Sequence, residues 1–323
     1  MFTLQKLTEL YHEFDAALAQ IIEQPGSPRE VYEPISYILK IGGKRIRPAM
    51  AIAAFKLYQN ETNTAIIQLA QAVEMFHNFT LLHDDIMDKS LLRRGKETVH
   101  IKWDESTAIL CGDLLQIEVY EKLTSIGNLE ILTLFNQMAR ELCEGQMNDM
   151  NFENRDQISN TDYLQMITQK TAVLLGFSMQ SGALLGGASS EEAKKLYNLG
   201  IGIGVSFQLM DDYLDTFGEK AKVGKQIGGD ILNQKKTFLW NEMWNHLDAS
   251  DRDKITNMYA HFSDEEMIAH IKQKMTQTGA DQKTLQLAQE HTINNTALLA
   301  SIHAPGDKTY LEEIMKMLSE RES

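Results

Sequence analysis

Between Pro48 and Pro305 the chain contains no proline. Proline interrupts helix interiors, because it removes an amide donor and crowds the preceding turn. A long proline-free span therefore leaves room for long helices. The apolar spacing uses that room. Ile66, Leu69, Ala70, Val73 and His77 recur at intervals of three and four, as do Leu196, Leu199, Ile203 and Phe207, which is the period of one helical face. Alternating strand patterns bounded by turn pairs are scarce. The reading is an all-α protein of about ten or more helices. Its 323 residues, 43% hydrophobic, can bury a large core. With no clear linker and no internal repeat, 1–323 is read as a single domain.

The formal net charge of −14 argues against a nucleic-acid partner, which would call for a basic excess. Two cysteines, Cys111 and Cys143, form no metal-binding spacing and too small a set for a disulfide framework. They read as buried thiols of a protein in a reducing cytoplasm. The opening stretch MFTLQKLTELYHEFDAALAQII reads as an amphipathic helix rather than a signal peptide. No run of uncharged apolar residues is long enough to span a membrane.

Two short stretches stand out, LLHDDIMD at 81–88 and QLMDDYLD at 208–215. Each places Asp-Asp-x-x-Asp directly after an apolar helical run. On a helix, Asp84 and Asp88 lie one turn apart with Asp85 adjacent, and Asp211, Asp212 and Asp215 repeat the pattern. Like charges so spaced destabilise a bare helix by roughly 0.2–0.5 kcal/mol per pair, and more beside apolar neighbours. Something positive is expected there. Carboxylate-only ligation suits hard divalent cations, above all Mg²⁺, which combines a few carboxylates with phosphate oxygens. A single such cluster is most often a solvated helix face; a second copy in the same setting shifts the balance toward metal. Neither has the glycine turn and distant glutamate of an EF-hand.

Basic residues gather near these acids. Lys44, Arg45 and Arg47 share the stretch IGGKRIRP, read as a loop with Pro48 opening the next helix. Lys89, Arg93, Arg94 and Lys96 follow the first acid cluster, and Lys170, Lys225, Lys235 and Lys236 come later. In an acidic protein this pattern suggests a polyanionic ligand, gripped by arginine forks and lysine point charges. Neither GGK at 42–44 nor GK at 224–225 has the spacing of a nucleotide P-loop. Gly200 and Gly204, one turn apart, permit close helix packing on the Gln208 side.

Taken in order, GGKRIRP, HNFTLLHDDIMD, RRG, KTA, FQLMDDYLD and GKQIGGD resemble the trans-isoprenyl diphosphate synthases, over about residues 30 to 240. The resemblance implies an isoprenoid-synthase helical bundle around a deep central cavity, usually a homodimer, acting on isopentenyl diphosphate and an allylic diphosphate. Carried over by motif, Asp84, Asp85, Asp88, Asp211, Asp212 and Asp215 would hold Mg²⁺. Lys44, Arg47, His77 and Arg94 would bind isopentenyl diphosphate. Arg93, Lys170 and Lys225 would contact the allylic diphosphate, with Thr171, Gln208 and Lys235 in the same wall. A bulky aromatic five places before the first aspartate shortens the product in this family. Phe79 holds that position, and Phe76 and Thr80 are the neighbouring length candidates. The first motif has two residues between its acids, not the four common in bacterial farnesyl synthases. The expected product is therefore geranylgeranyl diphosphate, with farnesyl diphosphate the alternative. Rival readings are a class I terpene cyclase, which would need no second diphosphate site, and a non-catalytic partner subunit, which would be expected to lose acids from one cluster.

Overall fold

A computed structural model describes residues 2–23, 26–153, 155, 157–218 and 228–319. Helices α1 (Phe2–Glu23), α2 (Arg29–Ile41), α3 (Ile46–Lys56) and α4 (Thr64–Met87) are followed by a small hairpin, β1 (Leu92–Arg93) and β2 (Lys96–Glu97). Then come α5 (Val99–Lys102), α6 (Glu105–Ile126), α7 (Leu129–Glu153) and α8 (Asn160–Ile167). A π-helical turn, Thr168–Ala172, leads into α9 (Val173–Gly186) and α10 (Ser190–Phe217). The chain continues with α11 (Gly229–Leu232), α12 (Phe238–His246), α13 (Ala249–Met258), α14 (Asp264–Thr278), α15 (Ala280–Ser301) and α16 (Thr309–Ser319). The fold is all-α; the hairpin holds the only strands among the described residues.

The contacts divide into two compact units. The first comprises Met1–Asn136, Phe177–Tyr197 and Ile302–Ile314; the second comprises Gln137–Gly176, Asn198–Ser301 and Met315–Ser323.

In the first unit α4 is enclosed by α3 and α6. Burial is nearly continuous along α4 from Leu69 to Phe76 and along α3 from Pro48 to Phe55, as expected of helices packed on several sides. Phe76 packs edge-on against Phe135, with ring centroids 5.0 Å apart, and Phe135 against Phe177 at 5.7 Å. Asn63 caps α4 by accepting from the Ile66 amide at 3.1 Å, the kind of bond whose loss costs about 1 kcal/mol.

In the second unit one apolar cluster gathers Tyr163, Ile167, Leu209 and Phe238, and another gathers Leu239, Met243, Ile271 and Met275. The α8 start is fixed by a capping box between Ser159 and Asp162. A Cβ on Gly200 would meet Gly176 Cα at 2.7 Å, and one on Gly204 would meet Ala172 Cα at 2.6 Å. The close approach expected from those two glycines is therefore made, against the π-helical turn and the start of α9.

Two local expectations are corrected. Pro48 is the third residue of α3, not the first, because Arg45 takes the left-handed N-cap position (φ 48°) and the helix begins at Ile46. The hairpin between β1 and β2 turns at Arg94 and Gly95, which both have positive φ (53° and 74°), the geometry of a type I′ turn. Cys111 is buried as expected, but Cys143 is exposed, on a face of α7 that the core leaves uncovered.

Candidate active site

The first unit gathers a cationic cluster from α3, α4 and the hairpin. Arg45 turns inward and pairs with the buried carboxylate of Glu74, donating also to the Leu39 carbonyl at 2.7 Å. Arg47 Nη1 lies 3.2 Å from His77 Nε2. Burial and the surrounding Arg47, Arg94, Arg93 and Arg45 hold the His77 pKa well below that of free imidazole. A neutral ring can accept from Arg47 at Nε2 and keep its proton on Nδ1. Burial lowers Arg47 to about 10, opposed by Glu74, so it remains a cation at neutral pH. Gly43 has no side chain for a reason: a Cβ there would lie 2.6 Å from the Arg94 guanidinium. Lys44 is exposed at the rim.

The first acid cluster occupies the end of α4. Asp84 and Asp85 lie in its last turn and Asp88 is its C-cap. The second lies in the last two turns of α10. Carboxylates at a helix C-terminus oppose the macrodipole, so both clusters sit where a cation is favoured and an anion is not. The middle acid of each is tied. Asp85, 1% exposed, accepts a bidentate pair from Arg93 at 2.8 and 2.7 Å. Asp212, 6% exposed, accepts from Tyr163 and, at 2.9 Å, from Gln208. Thr171 in turn donates to the Gln208 carbonyl at 3.1 Å. Asp84 and Asp88, like Asp211 and Asp215, are more open.

Within the second unit Asp211, Asp212 and Asp215 line a cavity of about 260 Å³. Asp149, Glu153, Asp211, Asp212, Asp215 and Asp230 face it, against Lys170, Lys235 and Lys236. Six carboxylates against three ammonium groups leave the cavity net negative. Burial, then Asp230, raises the Asp212 pKa well above the ordinary range, and Asp211 adds to the rise. That crowding, and a donor set made of carboxylates, fits a hard dication. Among the described residues no three His, Cys, Asp or Glu side chains group closely enough to hold a metal ion by themselves. Lys170 pairs with Asp149 at 2.5 Å, and Lys235 lies 3.8 Å from the same carboxylate.

The structure thus brings Lys170, Thr171, Gln208, Asp211, Asp212, Asp215 and Lys235 to one cavity, and Arg47, His77, Arg93 and Arg94 to one cluster. Lys225 lies outside the described residues. Sequence reasoning missed Asp149, Tyr163 and Asp230 in the cavity, and Glu74 beside the arginines. Asp230 closes the GGD of a motif already noted, and Glu74 is a lone acid in an apolar helical run; either could have been singled out. Asp149 and Tyr163 carry no such signal. Phe76, Phe79 and Thr80 are buried in the first unit, with Phe79 set between Phe76 (5.3 Å) and His83 (4.8 Å).

Residues 28–276 match the family described as polyprenyl synthetase. The chain is 40% identical over 230 residues to geranylgeranyl diphosphate synthase of Methanosarcina mazei, covering 70% of each chain. It is 36% identical over 303 residues to geranylgeranyl pyrophosphate synthase of Geoglobus acetivorans, covering 91% of this chain and 92% of the other. Its fold superposes on the crystal structure of geranylgeranyl pyrophosphate synthetase from Pyrococcus horikoshii with a TM-score of 0.90 and 28% identity, covering 99% and 98%.

Proposed function

This chain belongs to the polyprenyl synthetase family, and from that premise we propose that it is a trans-prenyltransferase joining isopentenyl diphosphate to an allylic diphosphate, with geranylgeranyl diphosphate as product. The observation that carries the reading is the charge balance of the second unit's cavity. With six carboxylates facing three lysines, it repels a bare diphosphate and admits one only when divalent cations bridge the two.

Asp84, Asp85 and Asp88 at the end of α4 and Asp211, Asp212 and Asp215 of α10 are the proposed Mg²⁺ ligands, with Asp85 and Asp212 oriented by the hydrogen bonds they accept. Bound Mg²⁺ supplies electrostatic stabilisation of the diphosphate as the allylic carbon–oxygen bond breaks. Asp85 aims Arg93 and Asp149 aims Lys170, and both cations face charge developing on the leaving oxygens. Lys225 is proposed to assist there on the motif alone. The Arg47, Arg94, His77 and Lys44 cluster needs no metal to hold a diphosphate, because cations outnumber Glu74 and Asp85 around it. It is the proposed seat of isopentenyl diphosphate, whose double bond captures the allylic cation and then loses a proton. Released pyrophosphate is the proposed acceptor of that proton.

The apolar, exposed Ile109, Leu110 and Ile117 of α6 (45, 60 and 56% exposed) support a homodimer. No helix among the described residues is long and apolar enough to cross a membrane; a cytoplasmic location is part of the proposal.

The test is incubation of the purified chain with isopentenyl diphosphate, Mg²⁺ and each allylic diphosphate in turn, with products weighed by mass spectrometry. Elongation to the twenty-carbon diphosphate, abolished by chelation, is expected. A hydrocarbon formed from an allylic diphosphate alone would indicate a cyclase. No turnover with any starter would leave the partner-subunit reading.

A further inference from the structure

Glu74 is 4% exposed, in the middle of α4. Its carboxylate is fixed from two directions, by the Arg45 guanidinium and by the Asn78 amide at 3.2 Å, and Asn78 also bonds the Glu74 carbonyl at 2.8 Å. Arg45 is held in turn by the Leu39 carbonyl at 2.7 Å. The backbone of Arg45 is left-handed, φ 48° and ψ 34°, a conformation that crowds the Cβ of any residue but glycine. That conformation makes the corner between Gly42 and α3. It throws the Arg45 side chain inward while leaving Lys44 exposed and Arg47 against His77. Glu74 is also the carboxylate that acts on both Arg47 and Arg94. Without it, the four arginines around His77 would lose the carboxylate that pairs with Arg45 and offsets Arg47 and Arg94.

We propose that Glu74 is a positioning residue for isopentenyl diphosphate. Through Arg45 it locks the corner that presents Lys44 and Arg47, and its charge keeps the arginines assembled before the diphosphate arrives. This rests on the assignment of that cluster to isopentenyl diphosphate above. The opposing view is a buried ion pair that serves stability alone. Such pairs can be replaced by apolar side chains of similar volume without loss of fold, so the two views separate experimentally.

The experiment compares wild type, Glu74→Gln and the double variant Arg45→Met/Glu74→Met. It measures KM for each substrate, kcat, thermal stability, and calorimetric binding of isopentenyl diphosphate in the absence of metal. Both variants are expected to raise KM and weaken direct binding for isopentenyl diphosphate by about tenfold or more. KM for the allylic substrate and kcat at saturation should stay within about threefold. The double variant should regain wild-type stability without regaining affinity. Wild-type affinity in either folded variant overturns the proposal, as does an equal rise in both KM values. If neither variant folds, the pair is a fold determinant and the proposal falls. If wild type itself fails to bind isopentenyl diphosphate, the site assignment falls first and this inference with it.

Discussion

The phenolic hydroxyl of Tyr163 donates to Oδ2 of Asp212 while Gln208 donates to Oδ1, so both oxygens of one buried carboxylate are aimed by neighbours. Hydrogen bonds to the charged form favour it against the pull of burial. Tyr163→Phe removes one bond and little volume. The expected result is a fold of near wild-type stability, kcat reduced about tenfold or more, and a higher Mg²⁺ concentration at half-maximal activity. A titration of activity against Mg²⁺ that overlays wild type would show that Asp212 needs no such aiming.

The two glycines of α10 make a purely steric prediction. Alanine gains up to about 1 kcal/mol over glycine in a helix, yet a Cβ at Gly200 or Gly204 would press on backbone or Ala172 at 2.6–2.7 Å. Overpacking against a fixed backbone costs about 1–3 kcal/mol. Gly200→Ala and Gly204→Ala should each lower the denaturant midpoint. A gain in stability would mean that the π-helical turn gives way freely.

That packing also marks how far the sequence could be read. The missing prolines and the three-four spacing gave the helices, because each is a local rule written in consecutive residues. The glycine pair foretold a close contact but not its partner at 172–176. The two aspartate motifs were legible for the same local reason. Tyr163 and Asp149 were not, since each matters through a residue 49 or 21 positions away, Asp212 or Lys170. The left-handed Arg45 could not be foreseen in a stretch where two preceding glycines, Gly42 and Gly43, would adopt that conformation more cheaply.

His77 carries a pH dependence. Its folded pKa is depressed well below the unfolded value by burial and four arginines. The unfolded chain therefore binds the extra proton first. The contribution to stability is complete above about pH 6.5 and is lost as pH falls below it, with a slope approaching about 1.4 kcal/mol per pH unit. Unfolding midpoints between pH 7 and 5 should fall more steeply for wild type than for His77→Gln. Parallel curves would mean the imidazole is already free to protonate in the fold.

Asp84→Ala and Asp211→Ala should each slow turnover by orders of magnitude, since each removes a proposed metal ligand. Metal-free melting temperatures, measured beside the steady-state rate, separate loss of a metal ligand from loss of fold. Wild-type rates in either variant would reject the ligand assignment.

Phe79 gives the prediction about product length. Its ring is 9% exposed and lies between Phe76 and His83, and Phe76 is itself backed by Phe135. Thr80 offers little obstruction, because its hydroxyl is turned back onto the His77 carbonyl at 2.8 Å. A helix turn rises about 5.4 Å, close to the length of one isoprene unit. Phe79→Ala should therefore release roughly one further condensation before Phe76 intervenes, at a stability cost of about 3–5 kcal/mol if the space stays empty. Adding Phe76→Ala should lengthen the product again, because only then does the aromatic backing open. Mass spectra of the products from wild type, the single and the double variant decide it. An unchanged distribution in Phe79→Ala would leave the ring a core residue and move the length stop elsewhere.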